Sequence, residues 1–290
     1  MINLKNYIIE SILDIEDNID NMDESIREEI KHFLKDNFKT NSTYQISKKP
    51  NKDGKFEVLS NGTVSIKNEH ITSLTNGLFI WTNIKGNFNC SECNLLTSLE
   101  GAPREVRGSF FCDQCNILTS LEGAPKEIGG DFYCDHCDSL ISLEGAPEKV
   151  GKDFICNFCK SLKSLEGAPE KVGKDFICNF CTSLKSLEGA PKEVGGDFYC
   201  SNCNSLISLE GAPKEVGEVF CCEYCNSLTS LEGAPEKVDD DFYCSNCKSL
   251  TSLEGAPKEV DGNFCCSFCG SMFTQEDVKK VSNVKGRIIV

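Results

Sequence analysis

The feature that most constrains this chain is a repeat of invariant length. The block F-x-C-x-x-C-x-x-L-x-S-L-E-G-A-P-x-x-V returns every 22 residues. Its first cysteines are Cys90, Cys112, Cys134, Cys156, Cys178, Cys200, Cys222, Cys244 and Cys266, and each has a partner three residues on. No insertion interrupts the array, so every rung has the same length. A unit this short cannot bury an apolar face alone. It must stack on copies of itself, which makes the chain a solenoid.

One rung shows how the coil is built. Phe198 and Cys200 alternate with Asp197, Tyr199 and Ser201, the period of a half-buried strand. Gly211-Ala212-Pro213 then turns the chain. Proline has no amide to give a ladder, so it marks the return side. Little room is left for an α-helix, and the return side is expected to be extended, polyproline-like or a short 3₁₀ turn. With roughly 4.8 Å between paired strands, the array should be a rod on the order of 45 Å long.

These positions follow the leucine-rich pattern L-x-x-L-x-L-x-x-N/C-x-L, with Phe198 and Cys200 on the strand and Cys203 at the Asn/Cys position. Leu206 comes one residue late. The repeat therefore resembles short bacterial and phage leucine-rich repeats, and its CxxLxSL portion is similar to the GCSSLTSI segment of BspA-like repeats. The runs ISKKPNKDGKFEV and ITSLTNGLFIW resemble uncharacterised proteins of large tailed phages of gut bacteria. The resemblance implies a β-dominated leucine-rich-repeat solenoid with one parallel strand per rung. BspA-like proteins are usually exported adhesins, a role that calls for a secretory signal, and the N-terminal run here does not read as one.

Three regions are expected: a helical and hairpin segment over 1–60, the solenoid over 61–272, and a C-terminal cap over 273–290. Leu4, Ile8, Ile12 and Leu13 fit one helical face, and Ile26, Ile30, Phe33, Leu34 and Phe38 another. Asn21 or Asp23 could cap the second helix. Pro50–Gly54 reads as a turn between strand-like runs Thr43–Ser47 and Phe56–Ser60. Val64-Ser65-Ile66 opens a degenerate first rung over 61–87, whose return loop is about three residues longer than the others and holds Trp81. Thr274-Gln-Glu-Asp277 resembles a capping box, with a short helix to Val281 and a last strand over Gly286–Val290. Capping explains both ends. The alternative is that helix 4–15 docks the chain, as a structural or packaged virion protein, onto a larger assembly.

The chain has 20 cysteines. Both members of each pair fall on inward positions, where Cys packs as a small hydrophobe and can offer weak S–H bonds at the bend. Pairs on adjacent rungs, such as Cys134 and Cys137 with Cys156 and Cys159, keep a zinc-binding CxxC array open as an alternative. The N-terminus lacks the basic start and apolar stretch of a secretory signal, so a cytoplasmic protein with reduced thiols is expected, in the host cytoplasm if phage-encoded.

A net charge of −15 argues against nucleic acid, and no 18-residue apolar run suggests a membrane span. Only His32, His70 and His136 are present, with no nucleophile or metalloprotease pattern around them. No enzyme and no cofactor is expected. Function then rests on the outward columns. Asp131, Asp153, Asp175 and Asp197 precede the inward Phe. Tyr133, Ile155, Ile177, Tyr199 and Tyr243 follow it. Phe158, Phe180 and Tyr224 stand two positions after the first Cys. A contiguous apolar stripe beside like charges would suit a protein partner with basic and apolar side chains, so the leading expectation is a non-enzymatic protein–protein interaction scaffold.

Overall fold

The computed structural model describes residues 22–67 and 69–290. The amphipathic run 4–15 and Asn21 lie outside them. The chain coils into a β-solenoid walled by two sheets of 12 strands each. The front sheet takes the Phe-x dipeptide of each rung, as in Phe154–Ile155, and the back sheet takes the dipeptide ending in Val or Ile, as in Lys149–Val150. Rungs pair in parallel and strictly in register: Phe132 with Phe154, Phe154 with Phe176, Val150 with Val172.

One strand per rung was expected, and each rung carries two. The residues after Pro are extended, with Lys or Glu outward and Val or Ile buried. Stacking at the rung spacing lets these two-residue segments form their own ladder, continued by bonds such as the Gly151 N–H to Ile128 O at 2.9 Å. A third side, through Leu-x-Ser-Leu, has a sparser ladder in which Leu143 N–H donates to Glu166 O at 2.9 Å. The expectation of an extended, helix-free return side holds.

Inside, identical residues stack in columns. The rings of Phe88 through Phe264 lie 5.0–5.7 Å from centroid to centroid, all fully buried. Two Leu columns, the paired cysteines and the Val column fill the remaining volume. Leu165-Glu166-Gly167-Ala168 makes the sharp turn, closed by Ala168 N–H to Leu165 O at 2.9 Å, with Gly167 at φ +92°. That geometry is a type II turn, which requires a residue tolerant of positive φ at its third position.

Both ends of the rod are covered. Helix α1, described over 22–37, buries Ile30 and Leu34 against the first rungs, with Phe33 5.9 Å from Phe79. The helical face was expected to reach Phe38. Instead Phe38 begins a strand, Phe38–Thr40, antiparallel to Val64–Ile66, because its ring packs edge-on to Trp81 at 5.3 Å inside the core. Asp23 sits within α1, not ahead of it as a cap.

The expected hairpin forms between Tyr44–Ile46 and Phe56–Ser60. Val64 pairs with Phe88, a step of 24 residues, so the atypical rung is two residues longer than the rest. Trp81 is buried there and donates Nε1–H to Leu74 O at 3.1 Å.

At the other end helix α2, Gln275–Val281, has the reciprocal capping box between Thr274 and Asp277, and Ile288–Ile289 closes the front sheet. Among the described residues no helix is long and apolar enough to cross a membrane.

Candidate recognition surface

The column between the inward Phe and Cys faces out of the front sheet. Tyr133, Ile155, Ile177, Tyr199 and Tyr243 are half-buried there, stacked rung on rung, while Cys221 and Cys265 are buried in the same column. Phe111 and Tyr133 stack at 4.9 Å with an 8° interplanar angle. The sequence placed these residues correctly on one face.

Two positions after the first Cys the backbone does something the sequence did not announce. Glu92, Gln114, His136, Phe158, Phe180, Asn202, Tyr224, Asn246 and Phe268 all have φ between 56° and 63°. This left-handed bend turns the chain off the front sheet. It throws the side chain outward, so His136, Phe158 and Phe180 form a stack with 4.5 Å between successive rings. Tyr224 stands 46% exposed between rungs that carry Asn202 and Asn246 at the same bend, and Phe268, at the last bend of the array, stands 84% exposed beside Asn246. Left-handed backbone disfavours bulky side chains and tolerates Asn, so these aromatics sit where local preference would not put them.

The aspartates before Phe have a structural task in addition to any partner. Asp131, Asp153, Asp175 and Asp197 each accept the backbone N–H of the equivalent residue one rung on, at 2.9–3.3 Å. Asp241 does the same for Asn263, and Asn87 for Ser109. A second ladder of this kind runs along the far end of the strand, where Asp135 accepts from Asn157 N–H and Asn157 from Asn179 N–H. Each ladder satisfies backbone donors at a corner where strand pairing stops. The acidic column is thus explained in part by the fold.

The cysteines form another such device. From Cys115 to Cys269, the second thiol of each pair donates to the carbonyl of the first Cys of the preceding rung, Sγ to O 3.2–3.3 Å. All 20 cysteines are free thiols, and every one except the half-buried Cys269 is buried. Burial pushes Cys90, Cys112, Cys178 and Cys200 well above the usual thiol range, which suppresses thiolate chemistry. Cys137 and Cys159 aim at the carbonyls of Cys112 and Cys134. Among the described residues no group of three or more His, Cys, Asp or Glu is arranged to hold a metal ion.

Burial also raises Asp135, to about 6, aided by the neighbouring Asp113 charge and opposed by the Asn157 N–H. Its ordinary value is 3.8. A carboxyl raised on folding contributes stability that is complete below the lower value and is lost as pH rises through the upper one. Asp113 and Asp175 are raised by burial in the same sense. Asp277 moves the other way, to about 2, held by the Thr274 hydroxyl, and its contribution fades only in stronger acid. Thermal unfolding should therefore occur a few degrees higher at about pH 5 than at about pH 7.5. Asp135→Asn should reduce that difference. An equal or lower midpoint at pH 5 would contradict the assignment.

Exposed ion pairs line the return side: Lys126 with Glu148 at 3.0 Å, Lys192 with Glu170 at 2.7 Å and Lys258 with Glu236 at 2.9 Å. Lys171 and Glu193 add another at 2.7 Å. Such pairs contribute about 0–1 kcal/mol each and mark a solvated face. Comparison with protein-family models, with curated proteins and with solved structures gave no match.

Proposed function

We propose that this chain is a non-enzymatic recognition scaffold, and that the front-sheet stripe with its aromatic bend binds a protein partner bearing apolar and basic side chains. The observation that carries this reading is the placing of Phe158, Phe180, Tyr224 and Phe268 at positive φ. Left-handed backbone costs an L-residue roughly 1–2 kcal/mol, and Asn, present at 202 and 246, would relieve part of that. Stacking can offset the cost for Phe158 and Phe180. Tyr224 lies between Asn202 and Asn246, Phe268 follows Asn246, and neither has a ring contact among the described residues, so ladder strength does not account for them.

The carboxylates of the Asp ladder supply the negative rim, with Asp131 also accepting the Ser109 hydroxyl and Asp241 the Tyr243 hydroxyl, and a basic partner would neutralise its like charges. The unpaired thiols favour a reducing compartment such as the cytoplasm.

The test uses Phe158→Asn, Phe180→Asn and Tyr224→Asn together, with crosslinking capture of partners by wild-type and variant protein. The thermal midpoint should stay level or rise, because Asn suits the bend, while partner capture is lost. A parallel set, Tyr133, Ile155, Ile177 and Tyr199 to Ser, should also abolish capture. Asp131, Asp153 and Asp175 changed to Asn should keep the ladder and reduce the salt dependence of binding. Capture that persists in both apolar variants while the rod stays folded would place recognition elsewhere.

A further inference from the structure

The third side of the rung carries a different surface. Its outward residue, two before the last Leu of each rung, reads Thr-Thr-Ile-Lys-Lys-Ile-Thr-Thr from Thr97 to Thr251. Every member is exposed, Ile141 by 51% and Ile207 by 58%. Backbone bonds hold neighbours in line: Lys163 N–H to Ile141 O at 3.1 Å and Ile207 N–H to Lys185 O at 3.0 Å. Lys160, close by in sequence, is paired with Asp138 at 2.9 Å, whereas Lys163 and Lys185 make no ion pair among the described residues.

Two like charges on adjacent rungs repel, and two large aliphatic side chains in water gain nothing from exposure. Both features arise only at the centre of the column, while the flanking rungs carry Thr. The pattern is unexplained by the rung itself, since Thr serves as well at that position in four other rungs.

We propose that this column docks an amphipathic α-helix lying along the solenoid axis, with two carboxylates on successive turns between apolar residues. Spacing selects the helix. Rungs repeat at about 4.7–4.9 Å and helical turns at about 5.4 Å, so three steps accumulate a mismatch of roughly 1.5–2 Å, within reach of flexible side chains. An extended strand presents same-face residues every ~6.6 Å and would be out of step by roughly 5–6 Å over the same distance. Positions i, i+4, i+7 and i+11 of a helix match Ile141, Lys163, Lys185 and Ile207. The carboxylates meet the only adjacent pair of lysines in the column, and nucleic acid is disfavoured by a chain of net charge −15.

This proposal does not rest on the front-sheet reading, because it concerns another side of the rung and a partner of opposite charge. It is tested with a fluorescein-labelled helical peptide carrying Leu, Glu, Glu and Leu at i, i+4, i+7 and i+11. Fluorescence anisotropy against the full chain should show saturable binding that weakens about tenfold or more in K163E/K185E, whose thermal midpoint should be unchanged. A peptide with Lys in place of both Glu should bind the K163E/K185E protein. The Phe158→Asn/Phe180→Asn protein should bind the original peptide normally. Absent saturation, equal binding by K163E/K185E, loss of binding in the front-sheet variant, or tighter binding by a proline-broken peptide of the same composition would each overturn the assignment.

Discussion

Truncating Phe176 to Ala is expected to cost about 3–5 kcal/mol, the range for removing a fully buried ring. Phe176 is completely buried and lies 5.3 Å from Phe154 and 5.2 Å from Phe198 in the stacked column. Neighbouring rungs cannot collapse into the void, because their spacing is set by the two parallel sheets. Loss in mid-array also weakens both interfaces of its rung, and solenoid stability is approximately a sum of such interfaces. Denaturant unfolding of Phe176→Ala beside wild type measures the effect. Phe154→Ala should behave alike, and Ile177→Ala, which points outward from the same strand, should cost far less. A loss below about 1 kcal/mol at Phe176 would mean the column is not the core's principal support.

Gly167→Ala should be comparably severe, at about 4 kcal/mol or more, for two separable reasons. Its φ of +92° lies where L-residues are strained, and an added Cβ would sit 2.5 Å from the Cα and backbone N of Glu144 in the preceding rung. The obstacle is backbone, so relief requires the rungs to part. Gly54, in the hairpin turn, isolates the first reason: its φ is +72° but nothing lies within 4 Å of the added atom. Gly54→Ala should therefore cost only the conformational part, roughly 1–2 kcal/mol. Chemical denaturation of the two variants gives the comparison. Equal losses would show that strain alone governs, and that the close approach of the turns is not what demands glycine at this position.

The acidic and cysteine columns show how far local pattern carries. Alternation along Asp197-Phe198-Tyr199-Cys200 told which side chains point inward, and the buried Phe, Cys and Leu columns follow it. What alternation could not tell is that Asp175 Oδ1 accepts the Asp197 N–H, or that Cys203 caps the Cys178 carbonyl. Those bonds join residues 22 and 25 positions apart, and nothing local in either partner records them.

By itself the sequence determined the period, the inward set, the hairpin, the capping box of α2 and hence a stacked coil, because each is written in spacing or in short-range side-chain chemistry. Only the tertiary structure decided that the post-proline dipeptide would become a second sheet. Two residues are too few to show a period, and Lys149–Val150 is a strand only because equivalent dipeptides lie beside it. It alone also decided the left-handed bend at Phe158 and Phe180. The intrinsic preference of Phe is against that conformation, and ladder bonds such as Phe158 N–H to Asn179 O at 2.9 Å override it.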